Sequence, residues 1–263
     1  VSIAGIDVGA TLCKLALQRD GVAVAHYPSS DLGGVRALVE AWGPRRIGVT
    51  GGGADRLGPE IGGVLLKHVS EFEAWGRGGA AVAALDGVSL PAKHLLVSLG
   101  TGTSVLLVDG HRVERVGGTA LGGGTVVGLG RLILGTGVFD EIMALAAQGD
   151  RRTVDLLVSD VYRAGATSIL RDLTASSFAK LESTRREDLA HALLGLVGEN
   201  VALICGGLAR ASGVDTVVYC GSTLAENPML ETIVGEITTL FGHRPVFLPR
   251  GAFCGAVGAA TLA

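Results

Sequence analysis

Apolar and polar positions alternate through the first 27 residues, and three strands are predicted at 3–8, 12–18 and 22–27. Asp20-Gly21 supplies the second turn. Asp31 then caps a helix to about Trp42, with Val35, Leu38, Val39 and Trp42 on its apolar face and Pro44 behind it. Arg46–Thr50 reads as a short buried strand closing on Gly51-Gly52-Gly53, and 64–69 as another. Ser70 caps a helix of small residues over 71–85. After Leu90-Pro91 the pattern restarts with strands at 94–100, 103–109 and 112–117. Helices follow over 126–134, 138–148 and 153–163. Residues 185–209 form one long helical pattern, amphipathic and then almost wholly apolar, which suits a central helix or a dimer seam. The chain continues with a buried strand at 214–219, a helix at 229–241, a strand at 245–248 and a close-packed helix start over 251–260.

Two of these hairpins carry the same kind of turn. Asp7-Val8-Gly9-Ala10-Thr11-Leu12-Cys13-Lys14 joins the first two strands, and Gly100-Thr101-Gly102-Thr103-Ser104 joins the first two of the second half. A Gly/Ala turn lets backbone approach a ligand, and its N–H groups can cradle phosphate oxygens. Thr11 adds a hydroxyl, Lys14 a positive charge, and Asp7 a carboxylate able to hold hydrated Mg²⁺. One such turn alone is as consistent with an ordinary Asx-type hairpin. Two copies suggest a duplicated core whose loops face one nucleotide from opposite sides.

A third glycine run, Gly117-Gly118 and then Gly122-Gly123-Gly124-Thr125, opens onto the helix at 126, where unpaired helix N–H groups favour an anion. Glu71 and Glu73 stand in the first turn of their helix. They serve the helix dipole, or Glu71 serves as a general base. Residues 171–178 are polar and turn-rich, and alone describe only a surface loop.

Composition narrows the class. The 263 residues suffice for one large or two modest domains, and the 42 glycines fall in loop clusters without a collagen period. A net charge of −3 points to neither nucleic acid nor an anionic membrane. Cys13, Cys205, Cys220 and Cys254 have no metal or redox spacing, and buried free thiols in a reducing cytosol are expected. The sequence opens directly on a strand, so no signal peptide is expected, and no uninterrupted apolar run has bilayer length. A cytoplasmic location is therefore expected.

Together these stretches resemble the type II pantothenate kinases, a branch of the acetate and sugar kinase/heat-shock chaperone/actin superfamily. The matching motifs span nearly the whole chain: Gly5 to Lys14, Glu71-Phe72-Glu73-Ala74, Gly100 to Ser104, Arg115-Val116-Gly117-Gly118 with Gly122 to Thr125, Asp172-Leu173-Thr174-Ala175-Ser176-Ser177-Phe178, Val218 to Ser222, and Gly251 to Ala259. The Arg-Val-Gly-Gly run with its triple glycine and the Asp-Leu-Thr-Ala-Ser-Ser-Phe run are the most specific. The resemblance implies an α/β, two-domain actin-like (ribonuclease H-like, duplicated) ATPase fold with a central cleft. Residues 1–92 would form one domain, and 93–263, with dimerisation helices, the other. It implies ATP- and Mg²⁺-dependent phosphorylation of pantothenate, the first step toward coenzyme A, by a homodimer. Coenzyme A or its thioesters are possible feedback ligands.

The implied roles follow the motifs. Asp7, Val8, Gly9, Ala10, Thr11, Leu12, Cys13 and Lys14 would form the first phosphate loop, with Asp7 near Mg²⁺. Glu71 would be the catalytic base. Thr101 and Gly102 would form the second loop, with Ser104 and Arg115 toward the substrate. Gly123, Gly124, Thr125, Val126, Val127, Phe139 and Cys254 would contact nucleotide. Arg115 could pair with the pantothenate carboxylate or steady its hydroxyl end. The chain departs from the family pattern at Ala10 for a glycine, Leu170-Arg171 for Pro-Gly, and Phe139 and Cys254 for hydroxyl residues.

The chemistry stands apart from the family. Phosphoryl transfer needs positioning and charge neutralisation, and a primary alcohol needs a base. The chain lacks a Walker sequence and a strand-to-helix Gly-x-Gly-x-x-Gly, which removes P-loop enzymes and Rossmann oxidoreductases. The rivals are a sugar or acetamido-sugar kinase of the same superfamily, for which no convincing aspartate base is found, and an inactive nucleotide-binding relative.

Overall fold

The computed structural model describes residues 2–162 and 173–263. In chain order the elements are β1 (Ile3–Val8), β2 (Leu12–Gln18), β3 (Val22–Pro28), α1 (Leu32–Trp42), β4 (Arg46–Thr50), β5 (Glu60–Ile61), β6 (Val64–His68), α2 (Glu71–Leu85), β7 (Lys93–Leu99), β8 (Thr103–Asp109) and β9 (Arg112–Thr119). There follow α3 (Gly123–Ile133), α4 (Phe139–Ala146), β10 (Leu156–Leu157), α5 (Val158–Val161), β11 (Thr174–Ser176), α6 (Arg186–Ser212), β12 (Thr216–Cys220), α7 (Pro228–Leu240), β13 (Arg244–Phe247) and α8 (Cys254–Leu262). Two main sheets result, ordered β3-β2-β1-β4-β6-β5 and β13-β12-β7-β8-β9.

Strand alternation decides what each sheet face meets. Ala4, Ile6, Val8, Cys13, Leu15, Ile47 and Val49 form one core with Val35 and Val39 of α1. The opposite face carries Gly5, Asp7, Lys14, Ala16 and Gly48, and α8 lies on it. A side chain at Gly5 would overlap the Ala256 carbonyl, and one at Gly48 the Ala259 carbonyl, so backbone packs on backbone here. Helix α2 crosses α8 just as closely: Gly78 lies over the Cys254 carbonyl and Gly258 over that of Ala74. The far side of α2, with Trp75, Val82 and Ala83, shares a core with Leu96, Leu106, Val108 and Val218 of the second sheet. The layers therefore run α1, first sheet, α8 with α2, second sheet, and then α3, α4, α6 and α7 over Leu95, Val97, Leu99 and Tyr219. The second sheet starts at Lys93, while the helix at 254–262 rests on the first.

Helix α6 is long and apolar enough to cross a bilayer by composition, yet 67% of its most apolar window is buried inside the protein. The helix expected over 153–163 does not form as one piece. Buried Asp155 accepts from the Phe178 N–H (2.9 Å), and Asp160 accepts from the Leu157 N–H (2.8 Å). Asp155 is thus tied to a distant segment, and Asp160 caps the one helical turn that forms. The chain instead makes a 3-10 turn at Arg151–Thr153, the short strand β10 paired with β11, and the single turn α5. Leu170, Arg171 and Asp172 lie outside the described residues.

Candidate active site

The two glycine-bearing hairpins meet. The hydroxyl of Thr11 lies 3.0 Å from that of Thr101, ninety residues away in sequence, and both residues are exposed. One cleft therefore receives both turns. Asp7 and Lys14 are cross-strand partners on its floor, on the same sheet face as α8.

Asp7 is only 3% exposed. Its carboxylate is enclosed by Gly51, by Gly255 in the first turn of α8, and by the neighbouring Trp75 indole; a side chain at either glycine would collide with it. Burial is the main cause pushing its pKa up to about 6; Lys14 pulls the other way and the Glu71 carboxylate adds to the rise. Glu71 opens α2, is exposed, and is electrically coupled to Asp7. The residue before its cap is fixed by the Val69 N–H to Val49 carbonyl bond (2.9 Å) and by Thr50 Oγ1 donating to the Val69 carbonyl (3.1 Å).

Within the first turn the side chains divide by pleat. Val8 and Cys13 are buried in the core shared with α1, so only their backbone can face a ligand. Burial, followed by the Asp7 charge, pushes the Cys13 thiol up to about 12, and it stays protonated. Leu12 is half-buried, and Ala10 is exposed. A side chain at Gly9 would lie tightly between the Leu12 carbonyl (3.0 Å) and the Lys14 ammonium (3.3 Å).

The second turn is built around backbone. The Gly100 carbonyl accepts from the Gly123 N–H (2.9 Å) and from Thr223 Oγ1 (2.8 Å), and the Thr101 carbonyl accepts from the Gly124 N–H (2.9 Å). Thr125 and Val126 donate back to Gly122. Sequence alone suggests open N–H groups at the start of α3, but all four are spent on carbonyls, so a free-amide anion site is absent there. The glycines instead allow close docking: a side chain at Gly122 would come within 2.8 Å of Gly100 and Thr101 carbonyl oxygens. Val126 is buried in the core and Val127 is half-buried. Gly102 and Ser104 line the turn and the strand beyond it, both half-buried.

Arg115 is exposed on β9 next to a register shift that pairs Leu106 with Arg115 and Val105 with Gly117. Such a bulge re-aims a side chain. The Arg115 guanidinium lies beside Gly118, which itself packs on Ser104. These two expected substrate residues therefore sit together.

One expectation changes. Cys254 is fully buried beside Cys220, whose thiol donates to the Val97 carbonyl (3.2 Å), so the Cys254 side chain faces the core. Phe139, at the start of α4, is half-buried with part of its ring against the core around α6.

Sequence reading missed a cavity of about 370 Å³ lined in part by Tyr219, Gly221, Asn227, Glu231, Phe247 and Ala252. It adjoins the second turn through Gly221 and Thr223, whose N–H donates to the Leu99 carbonyl (3.1 Å). Gly221 at φ 113° and the Asn227-Pro228 cap of α7 were its available signals.

The paired sheets and this two-turn cleft define an actin-like ATPase fold. Solved structures agree on the fold: the activator of the 2-hydroxyisocaproyl-CoA dehydratase from Clostridium difficile with bound ADPNP has a TM-score of 0.65 at 17% identity, covering 100% of this chain and 94% of that one. A ROK family glucokinase from Streptomyces griseus, in complex with glucose and AMPPNP, has 0.62 at 14%, covering 100% and 99%. The Fumble family model matches residues 88–262. A type II pantothenate kinase of Bacillus cereus is 32% identical, over 98% of this chain and 96% of its own length. One of Staphylococcus aureus is 32% identical over 97% of each. The chain belongs to the type II pantothenate kinase family.

Proposed function

We propose that this chain transfers the γ-phosphoryl group of ATP to the primary hydroxyl of pantothenate, giving 4'-phosphopantothenate. The observation that carries the reading is the Thr11–Thr101 contact, which brings two glycine-bearing turns, Asp7, Lys14 and Glu71 to one cleft. Ala10, Thr11, Thr101 and Gly102 hold the phosphates, with the Gly123–Val127 segment shaping the second turn from behind. Lys14 neutralises phosphate charge. Asp7 fits Mg²⁺: it is a single buried carboxylate that a cation would restore to its ionised form, with water and phosphates completing the shell. The cavity beside Gly221 receives the nucleoside end. Ser104 and Arg115 face pantothenate, and Glu71 takes the hydroxyl proton. Leu196, Leu203, Ile204 and Gly207 form an incompletely covered stripe on α6 that supports a homodimer. A cytoplasmic enzyme is in keeping with this role.

The test is ADP release with ATP, Mg²⁺ and either pantothenate or a sugar panel. Turnover with pantothenate is expected, and turnover only with a sugar overturns the assignment. Glu71→Gln is expected to retain ATP binding and lose about 10²–10⁴-fold in rate. An undiminished rate removes Glu71 from the role of base.

A further inference from the structure

Ser29 follows β3 and is 4% exposed, far from any expected site residue in sequence. Its hydroxyl donates to the Gly9 carbonyl at 2.7 Å, and its N–H donates to the Thr11 carbonyl at 2.9 Å. One residue thus grips both ends of the first turn. Ser29 is itself fixed: its carbonyl accepts from the Arg56 guanidinium at 2.7 Å. The turn is closed from within by the Gly9 N–H donating to the Leu12 carbonyl (3.1 Å), and the Gly53 N–H holds the Val8 carbonyl (3.0 Å).

A trans peptide points its C=O and N–H in opposite directions. With the Gly9 carbonyl held inward by Ser29, the Ala10 N–H must point away from Ser29. Ala10 is exposed where Ser29 is buried, and its neighbour Thr11 meets Thr101 in the cleft. If Ser29 let go, the Gly9–Ala10 peptide could turn about ψ of Gly9 and φ of Ala10, with the unbranched glycine offering little resistance at its end. Its carbonyl oxygen would then face an anionic ligand and repel it.

We propose that Ser29, locked by Arg56, is a positioning residue for the first phosphate turn, setting the Ala10 amide toward the nucleotide phosphates. Neither residue touches the reacting atoms. The proposal rests on the kinase reading above, and wild-type turnover tests that reading separately.

The experiment compares wild type, Ser29→Ala, Arg56→Ala and Arg56→Lys by steady-state kinetics with each substrate varied, alongside thermal melting. Ser29→Ala is expected to raise KM for ATP about tenfold, the weight of one lost hydrogen bond to the turn, with KM for pantothenate changed less than about twofold. Arg56→Ala is expected to give the same split at about threefold, partly rescued by Arg56→Lys. An unchanged KM for ATP in both alanine variants overturns the proposal. So does an equal rise in both KM values accompanied by a lower melting point, because that describes general loosening. Should Ser29→Ala fail to fold, Arg56→Ala decides alone, by the same split or its absence. A wild type without pantothenate kinase activity defeats the functional reading instead; calorimetric titration with ATP–Mg²⁺ then asks the same question of the turn, with a tenfold weaker Kd expected for Ser29→Ala and an unchanged one overturning it.

Discussion

The two turns that meet at Thr11 and Thr101 are supported by different mixtures of backbone and side chain. The first is gripped by a side chain, Ser29, and has a charged side chain, Lys14, on its floor. The second is clamped chiefly by other backbone: the Gly123 and Gly124 amides bond directly to the Gly100 and Thr101 carbonyls, and Thr223 Oγ1 adds one side-chain bond to Gly100. The first turn accommodates a methyl at Ala10, which is exposed. The second has no such room at Gly122. Similar hairpins need not share their glycine requirements: the requirement follows from what lies behind the turn and not from the turn alone.

Gly122→Val tests this contrast with the largest expected effect. Its side chain would push on three backbone atoms of the second turn. A displacement of that size is expected to lower kcat/KM by at least about a hundredfold. Retained activity would mean that the second turn is not held by the glycine run.

Asp7→Asn sharpens the contrast between stability and function on the floor of the cleft. The folded protein raises the Asp7 pKa from 3.8 to about 6. The contribution of this group to stability is thus full below about pH 4 and lost as pH rises through about 6. Removing the charge should therefore stabilise the ligand-free protein at pH 7.5, by about 2–3 kcal/mol, and leave it little changed near pH 4. Turnover should fall at the same time. Denaturant unfolding at both pH values, with the kinase assay, checks this; equal stability changes at the two pH values would count against a buried, strained carboxylate.

Ala10→Gly has the smallest expected effect. It should change kcat/KM less than about threefold and cost at most a few tenths to 1 kcal/mol in melting experiments. A large gain in activity would show that the Ala10 methyl obstructs the ligand.

The local parts of this architecture were legible in sequence. Alternation gave β1 to β3 within a residue, and Asp31 caps α1 as expected, accepting from the Gly34 N–H at 2.9 Å. The duplicated turns were legible because glycine and threonine recur at strand ends. Long-range choices were not. Nothing near Cys254 in sequence tells whether its thiol faces a ligand or Cys220, because a one-position change in helix phase decides it. The helix over 153–163 failed because buried Asp155 bonds across to Phe178, a partner 23 residues away. The spent amides of Gly123 and Gly124 were invisible for the same reason: their acceptors, the Gly100 and Thr101 carbonyls, lie in the second turn. Ser29 carried no signal beyond its place after Pro28.

The placement of α8 has a consequence for biosynthesis. The sheet made from residues 3–68 has its glycine-lined face covered by residues 254–262. That face remains open until residues 254–262 have left the ribosome, and chaperones or slow translation would act on a half-finished lobe. Strands separated from their cover by nearly two hundred residues are thus sealed long after they are synthesised.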